Sequence, residues 1–256
     1  MKKWKWPLFI TLSLGLTVLF GYGLVSAYMD ITNPPQAQTL AKSEEAPATP
    51  GDTYIALGDS LTRGVGSSKG EGFVSLTGNQ LKENNLVERY QNLGIRGARI
   101  EDLLEQLEQK EVQRTLKEAK IITITIGGNN LFNSGEIFSN YSEETALGIL
   151  ETEIPNLEKV FKNIREINPD AVTLYTGLYN PFKQSPDGES FDSIIQKWNE
   201  SARTLGLKYG IQVVDTFNLV IDAKRDLSSD VFHPNDTTYQ QIADSTYLVI
   251  EKSIVE

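Results

Sequence analysis

The sequence contains no cysteine, and that absence alone removes disulfides, thiolate nucleophiles, cysteine metal sites and a lipid-modified cysteine anchor. Missing cysteine suits either redox compartment and so locates nothing. Histidine is almost absent too. His233 stands alone, so a histidine-rich metal centre is excluded and any imidazole chemistry must happen at that position. Positive charge is in deficit, with 24 Lys and Arg against 34 Asp and Glu, a formal net charge of −10. Such a surface repels phosphate backbones and argues against a nucleic-acid partner. No internal repeat is visible at any solenoid period. What remains is 256 residues, 39% hydrophobic and 23% charged, enough to bury the full core of one ordinary domain.

The N-terminus carries Lys2, Lys3 and Lys5 ahead of an uncharged apolar run from Pro7 to Tyr28. Lysines before such a run predict that the rest of the chain lies outside the cytoplasm. The run is about 22 residues, or about 33 Å as a helix, long enough to cross a bilayer. Val25, Ser26 and Ala27 are small enough for cleavage by a signal peptidase. Residues 1–28 are therefore read as a signal-anchor helix or a cleaved signal peptide; a buried core helix would seldom be so free of polar groups. Residues 29–52 are rich in Pro, Ala, Thr and Glu, with few large apolar side chains, and read as a flexible, disordered linker. The catalytic-sized remainder is 53–256.

Within it, short β-rich runs alternate with longer amphipathic stretches. Strands are expected at Thr53–Leu57, Glu88–Asn92, Ile121–Ile126, Ala171–Thr176 and Ile211–Asp215; the third is almost wholly β-branched, as a buried strand requires. Ile100, Leu103, Leu104 and Leu107 share one helical face, as do Ile154, Leu157, Val160, Phe161 and Ile164. Further helices are expected over Phe191–Tyr209 and Asp236–Ser253. This alternation predicts an α/β domain: about five parallel strands covered by helices on both faces. Ligands of such sheets sit at the carboxyl ends of the strands.

The loops expected at those ends hold the most unusual local sequences. They are Gly58-Asp59-Ser60-Leu61, Gly94-Ile95-Arg96-Gly97, and Gly127-Gly128-Asn129-Asn130; far downstream stands Asp230-Val231-Phe232-His233. Ser60 follows a strand where a helix would begin, and the helix N-terminus favours developing negative charge. Equally, Ser60 or Asp59 would serve as an ordinary N-cap. Gly97 could simply turn the chain, or let its N–H approach a substrate. Asn129 suits a turn, or an oxyanion donor. Asp230 and His233 have the spacing to share one side of a turn, where the carboxylate takes the Nδ1 proton and Nε2 faces a hydroxyl; a capped surface histidine is the plainer alternative. Their joint occurrence on one predicted crevice favours catalysis over each plain reading.

As a set and in this order, these blocks resemble the SGNH hydrolases, the GDSL-type lipases and esterases, over essentially all of 53–256. The resemblance implies a flavodoxin-like three-layer α/β/α fold and hydrolysis of ester or thioester bonds. It implies Ser60 as nucleophile and His233 as base oriented by Asp230. The oxyanion hole would be the Ser60 and Gly97 N–H groups with the Asn129 side chain, and no metal or cofactor is needed. One position departs: the third block usually reads Gly-x-Asn-Asp, and here Asn130 replaces the aspartate. The missing second glycine of a Gly-x-Ser-x-Gly elbow, and a serine on the first strand, count against the α/β-hydrolase fold.

Placement outside the cytoplasm suggests lipid acyl esters, or O-acetyl groups on glycans, as substrates. Tyr179, Phe182 and Lys183, with Phe132 and Phe138, are expected near the crevice, either touching substrate or packed on the domain. Arg63 and Arg96 flank the catalytic positions. Two other classes remain: a catalytically silent surface-anchored binding module of the same fold, and a nucleotide- or flavin-binding domain. The latter would want a phosphate cradle, and no Gly-x-Gly-x-x-Gly follows the first strand. Nothing in the sequence speaks to oligomeric state.

Overall fold

A computed structural model of the protein describes residues 52–132 and 142–255. The apolar N-terminal run, the linker and Phe138 lie outside the described residues. Strands form at β1 (Thr53–Gly58), β2 (Arg89–Asn92), β3 (Ala119–Thr125), β4 (Val172–Thr176) and β5 (Gln212–Val214). All pair in parallel, in the order β2-β1-β3-β4-β5. The apolar β1 and β3 take the centre of the sheet, whereas the polar Arg-Tyr-Gln-Asn of β2 takes an edge. A strand buried on both faces must be apolar throughout, and an edge strand need not be.

The helices are α1 (Ser60–Arg63), α2 (Phe73–Glu83), α3 (Ile100–Glu108), α4 (Lys110–Lys117), α5 (Gly128–Phe132), α6 (Glu143–Ile167), α7 (Gly188–Tyr209), α8 (Ala223–Asp226) and α9 (Asp236–Val255). Alternate side chains of β1 enter opposite layers, as the two-residue period of a strand demands. Ile55 and Leu57 pack with Leu103, Phe161 and Trp198 of α3, α6 and α7. Tyr54 and Ala56 pack with Phe73, Leu81, Tyr239 and Ile242 of α2 and α9. The result is a three-layer α/β/α sandwich.

The expected helical faces are buried, except that Leu104 and Ile154 are half-buried at the margins of theirs. The chain leaves β1 toward β2 on one side and later returns to β3 on the other. Such a reversal opens a crevice at the carboxyl ends of β1 and β3. The loops bearing Ser60 and Asn129 leave from those two ends.

Candidate active site

Ser60 is the first residue of α1, and its neighbour settles which side chain caps that helix. The Asp59 carboxylate accepts the Leu61 N–H at 3.0 Å and the Thr125 hydroxyl at 2.8 Å. Thr125, at the end of β3, also lies 2.7 Å from the Thr62 hydroxyl, so one polar knot ties α1 to two strands. Asp59 is thereby the cap, and the Ser60 hydroxyl is left for other work. Burial pushes the Asp59 carboxyl up to about 6, against the lowering effect of Thr125, Leu61 and the nearby His233.

His233 Nε2 lies 2.8 Å from Ser60 Oγ, and His233 Nδ1 lies 2.6 Å from Asp230 Oδ2. Ser60 and His233, which meet here, are 173 positions apart. The second carboxylate oxygen of Asp230 accepts the N–H groups of Phe232 and His233 and the Ser228 hydroxyl, at 3.0, 2.9 and 2.8 Å. These bonds bend the turn so tightly that Val231 sits at φ 57°, a costly conformation for a β-branched residue. Burial works against charge on Asp230. The hydrogen bonds from His233, Ser228 and Phe232 outweigh it and hold the carboxyl well below the usual carboxylate range.

Packing fixes the imidazole from two further directions. The Phe232 ring meets it edge-on at 5.0 Å, and the Tyr179 hydroxyl donates to the Phe232 carbonyl at 2.9 Å. Behind it runs Gly66, at φ +100°, where a Cβ would fall 2.8 Å from that of His233. Only glycine fits there.

Of the expected oxyanion donors, Ser60 and Asn129 line one pocket, and Gly97 stands in the loop that Asn129 bonds. Among the described residues, no partner takes the Ser60 or Gly97 N–H. Gly97 adopts φ +78° with open space on the side where a Cβ would stand, so backbone there is accessible to a substrate. Asn129 Nδ2 donates one hydrogen to the Ala98 carbonyl at 2.8 Å and keeps its second for a ligand. The Asn129 amide is thus oriented by the loop that carries Gly97.

Asn130, the position that departs from the usual block, is buried and fully engaged. Its Oδ1 accepts the Ile100 N–H at 3.0 Å; its Nδ2 donates to Glu101 and Glu153 at 3.0 and 3.1 Å. An aspartate here would face two carboxylates, whereas an amide bonds both. Glu101, Glu153, Ser228, Thr125 and Gly66 all support the site, and none carries a local sequence signal. Each acts through a contact distant along the chain or through the space it leaves empty.

The catalytic pocket itself is small, about 40 Å³, and is lined by Ser60, Asn129, Tyr179 and His233 among others. It shares Asn129, Phe132, Pro181 and Phe232 with an adjoining groove of about 740 Å³. Tyr179 and Phe182 thus border the crevice as expected, one in each space. Lys183 turns away to Asp192, at 3.7 Å, and to the Phe217 ring. Arg96 and Gly97 together line a separate pocket, and Arg63 lies exposed at the end of α1.

The sequence model of the GDSL-like lipase/acylhydrolase family matches residues 56–241, which spans every one of these blocks. The chain belongs to that family. Relatives agree. YpmR of Bacillus subtilis is 34% identical over 207 residues, covering 77% of this chain and 80% of its own. The spore germination lipase LipC of Bacillus licheniformis is 31% identical, covering 75% and 92%. Among solved structures, the lipase Lip_vut3 from a goat rumen metagenome superposes with a TM-score of 0.69 at 30% identity, over 77% of this chain and 96% of its own. GDSL membership makes the protein a carboxylic ester hydrolase.

Proposed function

We propose that the protein hydrolyses carboxylic esters through an acyl-enzyme on Ser60. The observation that carries this reading is the unbroken line from Asp230 through His233 to Ser60, at 2.6 and 2.8 Å. Ser60 Oγ attacks the ester carbonyl while His233 Nε2 takes its proton. The oxyanion then forms among the Ser60 N–H, the Gly97 N–H and the Asn129 amide. The alcohol departs with the proton from His233, and water repeats the sequence to free the acid. Asp230 holds the imidazole in the tautomer this needs and stabilises its charge.

A fluorophosphonate probe tests the reading directly, since only an activated serine reacts. The wild-type protein is expected to label stoichiometrically and Ser60→Ala not at all, with turnover lower by on the order of 10⁶-fold. A wild-type protein that neither labels nor turns over p-nitrophenyl esters would instead be a silent binding module of the same fold.

The proposal extends to location. Three lysines followed by the apolar run of residues 7–28 support export, with the domain either held at the membrane by an uncleaved helix or released by cleavage near Ala27. No helix among the described residues is long and apolar enough to cross a membrane, so attachment falls to that segment. Lipid acyl esters and O-acetylated glycans are the substrate classes such a location offers.

A further inference from the structure

We infer that the pocket shared by Arg96 and Gly97 is a subsite for the alcohol half of the ester, built for an alcohol that carries further free hydroxyl groups. The inference rests on the hydrolytic reading above and names one half of its substrate. The pocket is about 350 Å³, within the range of small-molecule sites. It lies between the loop of residues 95–98 and the side chains of Asp102, Glu105, Gln106 and Gln109 along α3 and its end. It adjoins the reacting centre through that loop. Ala98, on its wall, accepts the Asn129 amide, and Asn129 lines the catalytic pocket. Gly97, beside Ala98, is an expected oxyanion donor. A carbonyl oxygen held by both donors therefore has the large groove on the Asn129 side and this pocket on the Gly97 side.

Gln106 is the fixed element of the pocket. It is only 8% exposed, and its Nε2 donates to the Leu93 carbonyl at 2.9 Å, which leaves Oε1 as the free end of a held amide. Among the described residues no donor reaches that oxygen. A carbonyl so deeply placed calls for a donor, and the pocket is where one has room. The neighbouring charges are idle as well. Arg96 and Glu105 line the same space, yet among the described residues neither forms an ion pair, with the other or with anything else. Asp102 spends one carboxylate oxygen on the Arg99 N–H at 2.8 Å and keeps the second.

The mixture of signs selects the ligand. A cationic group would meet the Arg96 guanidinium, and an anionic one would meet Asp102 and Glu105. Neutral hydroxyls suit both, because each can donate to a carboxylate or amide oxygen and accept from a guanidinium. In an ester of a polyol every unesterified hydroxyl belongs to the alcohol, so this is the half the pocket takes. Ile95, 46% exposed on the same loop, offers an apolar surface to the C–H face of a glycerol backbone or a sugar ring.

The test keeps the acid as octanoate and varies the alcohol, comparing ethyl octanoate, 1-monooctanoylglycerol and 6-O-octanoylglucose by release of acid. A hydrogen bond to a charged group is worth about tenfold. With Glu105 and Arg96 both engaged, kcat/KM for at least one polyol ester is expected to exceed that for the ethyl ester by at least about tenfold. The glycerol and glucose arms tell a lipid-derived alcohol from a sugar. Glu105→Ala and Arg96→Ala are each expected to lower the polyol-to-ethyl ratio roughly tenfold, mainly through KM. Gln106→Met, which also gives up the bond to Leu93, should lower it too. Glu108→Ala, on the same helix outside the pocket, should leave the ratio as it is. A ratio near one in the wild type, or one that survives both Glu105→Ala and Arg96→Ala, would overturn the inference, while fluorophosphonate labelling at Ser60 kept the hydrolytic reading. Loss of that labelling in the wild type would overturn both.

Discussion

Asp59 and Asp230 flank the same serine–imidazole pair, and their surroundings push them in opposite directions. Asp59 is buried and its carboxyl rises to about 6 from 3.8. The folded state therefore holds a proton there more tightly than the unfolded chain does. By linkage, the stability this contributes is present below the unfolded value and is lost as pH climbs from about 4 through 6, by on the order of 3 kcal/mol. Asp59→Asn keeps an oxygen to accept from Leu61 and Thr125 but has nothing to ionise. Its melting temperature relative to wild type is expected to rise steadily between pH 4 and pH 7. A difference that stays constant across that window would refute the account. Asp230 has the opposite sign: its folded pKa is depressed, so its contribution is lost only as pH falls into strong acid.

Asn129 makes a second residue-scale case. Its Nδ2 is aimed by the Ala98 carbonyl, so it is already in place before charge develops. Asn129→Ala is expected to lower kcat by about 10²–10³-fold with little change in KM. A variant that instead raised KM at constant kcat would show that the amide binds substrate and transition state alike.

At the scale of elements, Asn129 stands on α5 and Gly97 in the loop that leads into α3, and Asn130 is what fastens one helix to the other. It takes the first N–H of α3 and bonds Glu101 of α3 and Glu153 of α6. Asn130→Asp would set three carboxylates together in a site only 5% exposed at its centre. The variant is expected to lose about 1–3 kcal/mol of stability at neutral pH. It should also lose kcat more than KM, with partial recovery as pH falls and one carboxyl takes a proton. Asn130→Ala should lose activity without that recovery. Wild-type kcat for Asn130→Asp at pH 8 would show that the clamp does not set the donors.

The elements also show why some of this was legible in the sequence and some was not. Helices α3 and α6 bury faces whose 3.6-residue period is written locally, and β3 is a run of β-branched residues, so both were readable. Ser60, Asp230 and His233, which the structure brings into contact, stand in short blocks that the sequence displays in a fixed order. The strand ends are less legible: β2 and β5 differ from expectation by one residue at an end, and β3 begins two residues before its β-branched run, at Ala119 and Lys120. Asn130 registered only as a departure from a pattern. Its partners Glu101 and Glu153 lie 29 and 23 positions away, on helices where glutamate is an ordinary surface residue. The assignment of the cap to Asp59 rather than Ser60 likewise needed Thr125, 66 positions on, to be seen beneath it.

For the whole molecule, the parallel sheet concentrates function at one end. Every strand points its carboxyl end the same way, so residues from four remote stretches converge above β1 and β3 while the opposite end is left to turns. The chain's net charge of −10 gives the protein no electrostatic attraction to anionic lipid, so the membrane contact proposed above is assigned to the apolar run of residues 7–28. The proposed export puts the site outside the cytoplasm whether that run stays as an anchor or is cut near Ala27, and this common consequence of the proposal is what can be measured. A membrane-impermeant fluorophosphonate added to intact cells is expected to label the protein at Ser60, in the membrane fraction if the run is retained and in the medium if it is cut. Deleting residues 2–28 should leave the label accessible only after lysis. If the full-length protein likewise labelled only after lysis, the lysines would not have oriented the chain, and substrates outside the cell would have to be abandoned.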